Sequence, residues 1–498
     1  MKRQEYISLF LSCLLLALSL PVIQEVCAQT GSLTLEKEQH WETYGVGGTC
    51  IPGGHNLFLK DVDGDGLTEI ITGGFTYQLV GEKRIAPVAP LKIWNWNGKH
   101  LTLEKSHQWN TTGTNSILCL YAADANGDGN IEILTGGRFS NGSTNYAQLR
   151  IWSWDGMNLV LESSNEWTDT KGASVTSIFV GDLDKDGKSE IITGGRTYND
   201  IRSSAQLRIW HLDDNSLVLQ KSTEWCALKE ASATSVYASD INDDGVTEII
   251  TCGFDHDLEN STGQLRLWKW DGTTLTMEES QEWRMTDGYM LTIAGNVMGN
   301  TISNALDVGD VDGDGENEVV TAGFIYDGAR ANGQLRIWSW SIETLMLEKS
   351  HEWHTANITE VKSVSINDVD GDGRQEIVTS GVTAPPGAFG LNTTTVAAQL
   401  RVWSWDGNTL TLKNSEEWVV GEGTCAWNVA TSDVDNDGAI EIVTVGCMSV
   451  GYMCDPDMRI WSIPQEQTSF PYALLAMVAT GVVIAVVSVF LIVRKNRK

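Results

Sequence analysis

One segment of this chain is written seven times. DVDGDGLTEIITGG begins at Asp61. DANGDGNIEILTGG, DLDKDGKSEIITGG, DINDDGVTEIITCG, DVDGDGENEVVTAG, DVDGDGRQEIVTSG and DVDNDGAIEIVTVG begin at Asp124, Asp182, Asp240, Asp310, Asp368 and Asp433. A period of this length marks one supersecondary unit repeated along the chain, each copy burying its apolar face against its neighbours. A second signature follows each core, as in AQLRIWSWDGMNLVLESSNEW from Ala147 to Trp167. Every unit therefore holds four strand-like stretches, A to D: an apolar run before the first Asp, the EIITGG stretch, the QLRIWSW stretch and the LVLESSNEW stretch. Asp, Asn and Gly separate them.

Four antiparallel strands per unit make one blade, and the ends of the array indicate how the blades join. The seventh unit reaches strand C at MRIWSI, Met458 to Ile463, and lacks its own strand D. The missing piece stands at the front, where LTLEKEQHW (Leu33 to Trp41) matches LTLEKSHQW (Leu101 to Trp109). This predicts an all-β fold, a seven-bladed β-propeller closed by the N-terminal strand, with no open sheet edge. Nineteen of the twenty tryptophans occupy repeat positions in the WxW and EW elements. The arrangement favours packing between blades over a platform for stacking sugars. Trp427 is the exception.

Each core has the form DxDxDGxxE. Its oxygen-bearing side chains are Asp61, Asp63, Asp65 and Glu69; Asp124, Asn126, Asp128 and Glu132; Asp182, Asp184, Asp186 and Glu190; Asp240, Asn242, Asp244 and Glu248; Asp310, Asp312, Asp314 and Glu318; Asp368, Asp370, Asp372 and Glu376; Asp433, Asp435, Asp437 and Glu441. Oxygen donors at positions 1, 3, 5 and 9, a carbonyl near position 7 and a Gly at 6 suit a hard cation, calcium above all. No Cys or His lies in the loops, which disfavours zinc and copper. Two carboxylates about 5 Å apart repel by roughly 3 kcal/mol at an effective dielectric of about 20, so a loop of three or four needs a counter-charge. Up to seven structural Ca²⁺ are expected. An EF-hand would need a Glu at position 12 between helices, whereas every repeat has Thr there, as at Thr72.

These units resemble the FG-GAP and VCBS repeats of integrin-α-type propellers over about Leu33 to Ile463. The resemblance implies that the acidic loop between strands A and B holds structural calcium, with TGG standing near the family's GAP. The chain departs from that pattern in lacking a regular Phe-Gly pair, in using Glu at position 9 where Asp is common, and in having no inserted ligand-binding domain. The calcium expectation carries over, and ligand preference does not.

Outside the repeats, residues 1–28 read as a secretory signal: Lys2 and Arg3, an apolar run around Leu9 to Leu20, and a small-residue site at Val26-Cys27-Ala28. The propeller is expected over 29–463 and a short stalk over 464–471. Residues 472–493 carry no charge and as a helix would span about 33 Å. Arg494, Lys495, Arg497 and Lys498 follow within the tail 494–498, placing the C-terminus in the cytoplasm and the propeller outside the cell membrane. A net charge of −31 argues against nucleic acid as a partner. Seven cysteines survive removal of the leader, an odd number, so the fold cannot depend on a disulfide framework. Cys447 and Cys454 could clamp one loop, or remain thiols.

Alternation of the strands puts the A–B and C–D turns on one face and the B–C and D–A loops on the other. The first face carries the acidic loops and, from the short stalk, is expected to lie toward the membrane. The second carries the length variation, including Arg284 to Leu306 and Val382 to Ala397, and the five sequons at Asn110, Asn141, Asn260, Asn357 and Asn392. Trp427, Lys362 and His55 share one variable position, six residues before the first Asp, and are candidates for ligand contact. No HExxH or GxSxG motif occurs. The expected function is a calcium-stabilised surface binding or adhesion module that recognises a protein or glycan, not an enzyme. The alternatives are a lyase-like polysaccharide enzyme and a self-assembling envelope protein. Oligomeric state is not legible.

Overall fold

Seven copies of one four-stranded antiparallel sheet account for nearly all of the described chain. Unit two is the plainest: Asn115–Ala123, Glu132–Ser140, Asn145–Trp154 and Leu159–Trp167 pair in that order. Units three to six repeat it. Their four strands are Gly172–Gly181, Glu190–Tyr198, Ser203–Asp213 and Ser216–Trp225; Glu230–Ser239, Glu248–His256, Ser261–Trp270 and Leu275–Trp283; Thr301–Gly309, Glu318–Tyr326, Ala331–Ser341 and Thr344–Trp353; Ile358–Asn367, Glu376–Ala384, Ala397–Trp405 and Leu410–Trp418. Unit one has Leu57–Lys60, Glu69–Gly73, Lys83–Trp96 and Leu101–Trp109, with an added strand Thr76–Val80 that folds back on its third. The computed structural model describes residues 32–41, 56–80, 83–109, 113–213, 215–242, 244–257, 261–284, 292–293, 296–297, 301–327, 330–341, 344–356, 358–385, 396–421, 423–450 and 453–464. They contain no α-helix, and none long and apolar enough to cross a membrane. The expected leader at 1–28 and span at 472–493 lie outside them, and Ser32–Pro464 forms one compact unit.

Unit seven contributes Gly423–Ser432, Glu441–Val450 and Met453–Ser462, and its fourth strand is Thr34–His40 from the other end of the chain. The register runs from Thr34 opposite Ser462 to His40 opposite Asp457. A bulge falls between Leu35 and Lys37, where unit two has one between Leu161 and Ser163. Charge holds this seam as well as backbone pairing: Arg459 Nη2 donates to Glu38 Oε1 at 2.7 Å, and His40 Nε2 lies 2.8 Å from Asp457 Oδ1.

Each unit is welded to the next by a tryptophan pair. Trp109 meets Trp152, Trp167 meets Trp210, Trp225 meets Trp268, Trp283 meets Trp338, Trp353 meets Trp403, Trp418 meets Trp461, and Trp41 meets Trp94, with centroids 4.9 to 5.4 Å apart. The last pair joins unit seven to unit one, where Leu57 and Ile70 also pack with Val443, Val445 and Ile460. Arginine guanidinium groups lie over ten of these fourteen rings, as Arg208 over Trp167 at 4.8 Å.

The threonine at position 12 of every repeat has a partner. Thr72, Thr135, Thr193, Thr251, Thr321, Thr379 and Thr444 each accept the indole N–H of a tryptophan on the third strand of their unit, at 3.0 to 3.1 Å, in the buried interior. A buried indole N–H left without an acceptor costs about 1–3 kcal/mol. Thr193→Val is therefore expected to lower unfolding stability by that amount, read in urea, while Thr193→Ser retains most of it.

Strands A and B share a second device. The register slips by one residue between Ile117 and Cys119, Val175 and Ser177, Ala233 and Ser235, Ser303 and Ala305, Val361 and Ser363, and Ala426 and Asn428. The skipped residues are Leu118, Thr176, Thr234, Asn304, Lys362 and Trp427, the variable position singled out above. A bulge residue leaves the ladder, which frees its side chain for other work. Thr176 Oγ1 donates to Ala233 O at 2.6 Å, Thr234 Oγ1 to Ser303 O at 2.7 Å, and Asn304 Nδ2 to Val361 O at 2.6 Å, each acceptor being in the following unit.

Candidate metal centres

The acidic loops are shaped by their own carboxylates. In the first, Asp61 accepts from Gly64 N at 2.8 Å and Gly66 N at 3.0 Å, Asp63 from Asp65 N at 3.2 Å, and Asp65 from Leu67 N at 2.8 Å. Position 6 is Gly with φ between +83° and +97° in all seven. Position 4 is also left-handed in every described loop, at Gly64, Gly127, Lys185, Gly313, Gly371 and Asn436, a requirement that the sequence pattern did not reveal.

The position-9 glutamate anchors the loop from below. Glu69, Glu132, Glu190, Glu248, Glu318 and Glu441 each accept the backbone N–H of position 2, at 2.9 to 3.3 Å, through one oxygen. The second oxygens of Glu69 and Glu248, Asp240 Oδ1 and Asp368 Oδ1 are buried with no hydrogen-bond partner. Burial first, and then repulsion from the loop aspartates, pushes Glu69, Glu318 and Glu441 up to about 8, and Glu132, Glu190 and Glu248 to about 7. Oxygens of Asp61, Asp63 and Glu69, of Asp182, Asp184 and Glu190, of Asp310, Asp312 and Glu318, and of Asp368, Asp370 and Glu376 converge within 4.8 Å. Outside unit six, orphaned buried carboxylate oxygens and this spacing fit a calcium ion, which would supply the missing positive charge.

Two further features of the site had escaped the sequence reading. The first is an acid on strand D beside the loop of its own unit. Glu104 faces Asp63 and Asp65, Glu278 faces Glu248, Glu348 faces Asp312 and Glu318, and Glu36 faces Asp435 and Glu441, adding repulsion in each case. The second is the C–D turn of the following unit, which covers the loop. A Cβ on Gly156 would meet Asp63 Oδ2 at 2.8 Å, and Gly272, Gly407 and Gly98 stand likewise against Asp184, Asp312 and Asp435 at 2.5 to 3.0 Å. The equivalent turns of units three and five have no Gly, and the loops of units two and four carry Asn126 and Asn242 in place of that Asp. Both signals sit in the repeat alignment, in columns that matter only once the fold shows which elements lie beside the loop.

Unit six differs. Its strand D has Lys413 where the others have Glu36, Glu104, Glu162, Gln220, Glu278 and Glu348. Lys413 Nζ lies 2.6 Å from Asp370, 2.9 Å from Glu376 and 3.2 Å from Asp372. Burial works against the ammonium and its hydrogen bonds to Asp370 and Glu376 outweigh it, so Lys413 titrates above the ordinary lysine range.

Of the candidate ligand residues, the structure brings Trp427 and Lys362 together. Lys362 is 4 % exposed, paired with Glu360 and 5.1 Å from the Trp427 ring centroid, while Trp427 Nε1 lies 3.3 Å from Cys447 Sγ. His55 lies outside the described residues. Asn141 is exposed in the B–C turn of unit two, its Oδ1 accepting from Ser143 N and Thr144 N at 3.1 and 3.0 Å. Asn110, Asn260, Asn357 and Asn392 fall outside the described residues. The backbone register sets Cys447 opposite Pro456 and Cys454 opposite Ser449, and the Cys454 side chain is also outside them. An unforeseen column lies three residues before each loop. Phe58, Tyr121, Phe179 and Tyr237 form an arc with centroids 4.7 to 5.4 Å apart, and Asp307 takes the next place, pushed up to about 7 by burial.

Repeated acidic loops between strands A and B, in units of four strands, can be compared with known families. Residues 61–135 match the family model of the FG-GAP-like repeat. This part of the chain resembles an FG-GAP-like repeat. No curated protein matches the chain. Among solved structures, Sqt1 from Chaetomium thermophilum is 12% identical, with a TM-score of 0.45 over 86% of this chain and 100% of its own. A rhamnogalacturonan lyase from Bacillus licheniformis is 14% identical, with a TM-score of 0.34 over 82% of this chain and 90% of its own. The core factor of S. cerevisiae is 10% identical, with a TM-score of 0.43 over 93% and 69%.

Proposed function

We propose that the seven units close into a seven-bladed β-propeller, that calcium in the FG-GAP-type loops stiffens it, and that the chain is a cell-surface binding or adhesion module for a protein or glycan. Closure is supported by the Trp41–Trp94 pair and the Arg459–Glu38 seam. The uncharged run 472–493 with its basic flank supports a membrane anchor.

The observation that carries the functional reading is the contrast between the two ends of the repeat. Acidic loops and short C–D turns at one end are nearly uniform. At the other, tight turns such as Asn141–Thr144 and Asn199–Arg202 stand beside the hairpin formed by Thr76–Val80 and the start of Lys83–Trp96, and beside the longer connection between Ala384 and Ala397. Ile201, 81 % exposed at the tip of the unit-three turn, is an apolar contact point on that end. Variable connections on a fixed scaffold are where recognition evolves.

The test is a glycan and protein array probed with the full chain in calcium. A variant with residues 76–88 replaced by the unit-two turn, combined with Ile201→Ser, should lose at least tenfold in binding to its array hits with unchanged thermal stability. Undiminished binding would sink the assignment to this end of the molecule.

A further inference from the structure

We infer that Lys413 is the resident cation of the unit-six loop, so that this loop, unlike the others, takes no calcium. The inference rests on the reading of the remaining loops as calcium sites, and three observations carry it. The first is placement: the ammonium lies within 3.2 Å of Asp370, Asp372 and Glu376, carboxylates at positions 3, 5 and 9 of the motif. Those oxygens are the ones a calcium ion would draw together, and Lys413 is only 16 % exposed among them. The second is substitution: strand D supplies an acid beside the loop in units one, four, five and seven, and only in unit six does the repeat put a base there. An ammonium at hydrogen-bond distance from three carboxylates and a divalent ion at the same point exclude one another by charge and by volume.

The third observation gives a reason for the exception. The described C–D turns of units one, two, four and six lie against the preceding loops through Gly98, Gly156, Gly272 and Gly407. Unit seven should cover the loop of unit six, but its C strand, Met453–Ser462, and its D strand, Thr34–His40, are not consecutive and share no turn. A calcium ion there would lack the lid that the loops of units one, three, five and seven have. A tethered ammonium, delivered by strand D of the same unit, needs none.

Hydrogen exchange of the full chain, followed by mass spectrometry with and without EDTA, tests this in the wild type, K413Q and K413E. In the wild type, chelation should raise exchange at least tenfold in the loops that begin at Asp61, Asp124, Asp182, Asp240, Asp310 and Asp433, and leave residues 368–376 unchanged. In both variants, 368–376 should exchange fast in EDTA, and in K413E calcium should restore protection. A wild-type 368–376 that loosens in EDTA with the other loops would overturn the inference, as would K413Q that leaves this segment protected without metal. If no other loop responded to EDTA, the calcium reading would fail, and the lysine would still be judged by whether K413Q loosens 368–376.

Discussion

Stripping calcium from this chain is expected to lower its melting temperature by on the order of 15–20 °C. A ligand at a hundredfold excess over its Kd stabilises by about 2.7 kcal/mol per site. Six such sites acting on a domain whose unfolding entropy is about 2.1 cal/mol/K per residue give a shift of that size. The pH dependence is the more specific part. Glu69, Glu318 and Glu441 are pushed from 4.5 to about 8, and Glu132, Glu190 and Glu248 to about 7, chiefly by burial. For an acid whose folded pKa is raised, the protonated form is the one that the fold favours. Its contribution is fully present below the unfolded pKa and is lost as pH climbs through the folded value. The metal-free chain should therefore be most stable near pH 5 and weaken steadily toward pH 8. Calcium binds the deprotonated carboxylates and should reverse that slope. Thermal scans in EDTA and in millimolar calcium across this range check both signs; parallel curves would contradict the assignment.

Gly195→Ala is expected to cost more than 3 kcal/mol, and Gly194→Ala, one residue earlier, far less. A Cβ on Gly195 would stand 2.0 Å from Ser174 O, a backbone atom of strand A next to its bulge. Gly137, Gly253, Gly323, Gly381 and Gly446 meet the same obstacle at 1.7 to 2.0 Å. Nothing there can give way except the strand itself. The Cβ of Gly194 would meet the Val236 side chain at 2.6 Å, and the repeat already accepts Cys252, Ala322, Ser380 and Val445 at that position. Urea unfolding of the two variants separates them; equal losses would show that the bulge tolerates a methyl group.

The repeats made much of this molecule legible. Four strands per unit follow from alternation and turn residues, and the pairing of Thr34–His40 with Met453–Ser462 follows from a displaced copy of strand D. The acidic positions were readable because each loop is local: nine consecutive residues supply its shape. What the sequence hid are contacts between units. Gly156 against Asp63 and Thr176 reaching Ala233 each join residues of neighbouring units more than fifty positions apart, and no periodicity within one unit announces them. Lys362 is the instructive case. Its variability suggested a recognition surface, whereas the bulge turns it inward onto Glu360, where a lysine, an asparagine or a threonine can each be satisfied by a different partner.

The central claim is that the acidic loops are calcium sites built between neighbouring units as scaffold. Native mass spectrometry of the full chain titrated with calcium counts them directly. Six tightly bound ions are predicted, one for each loop not filled by Lys413; none or one bound at millimolar calcium would contradict the account.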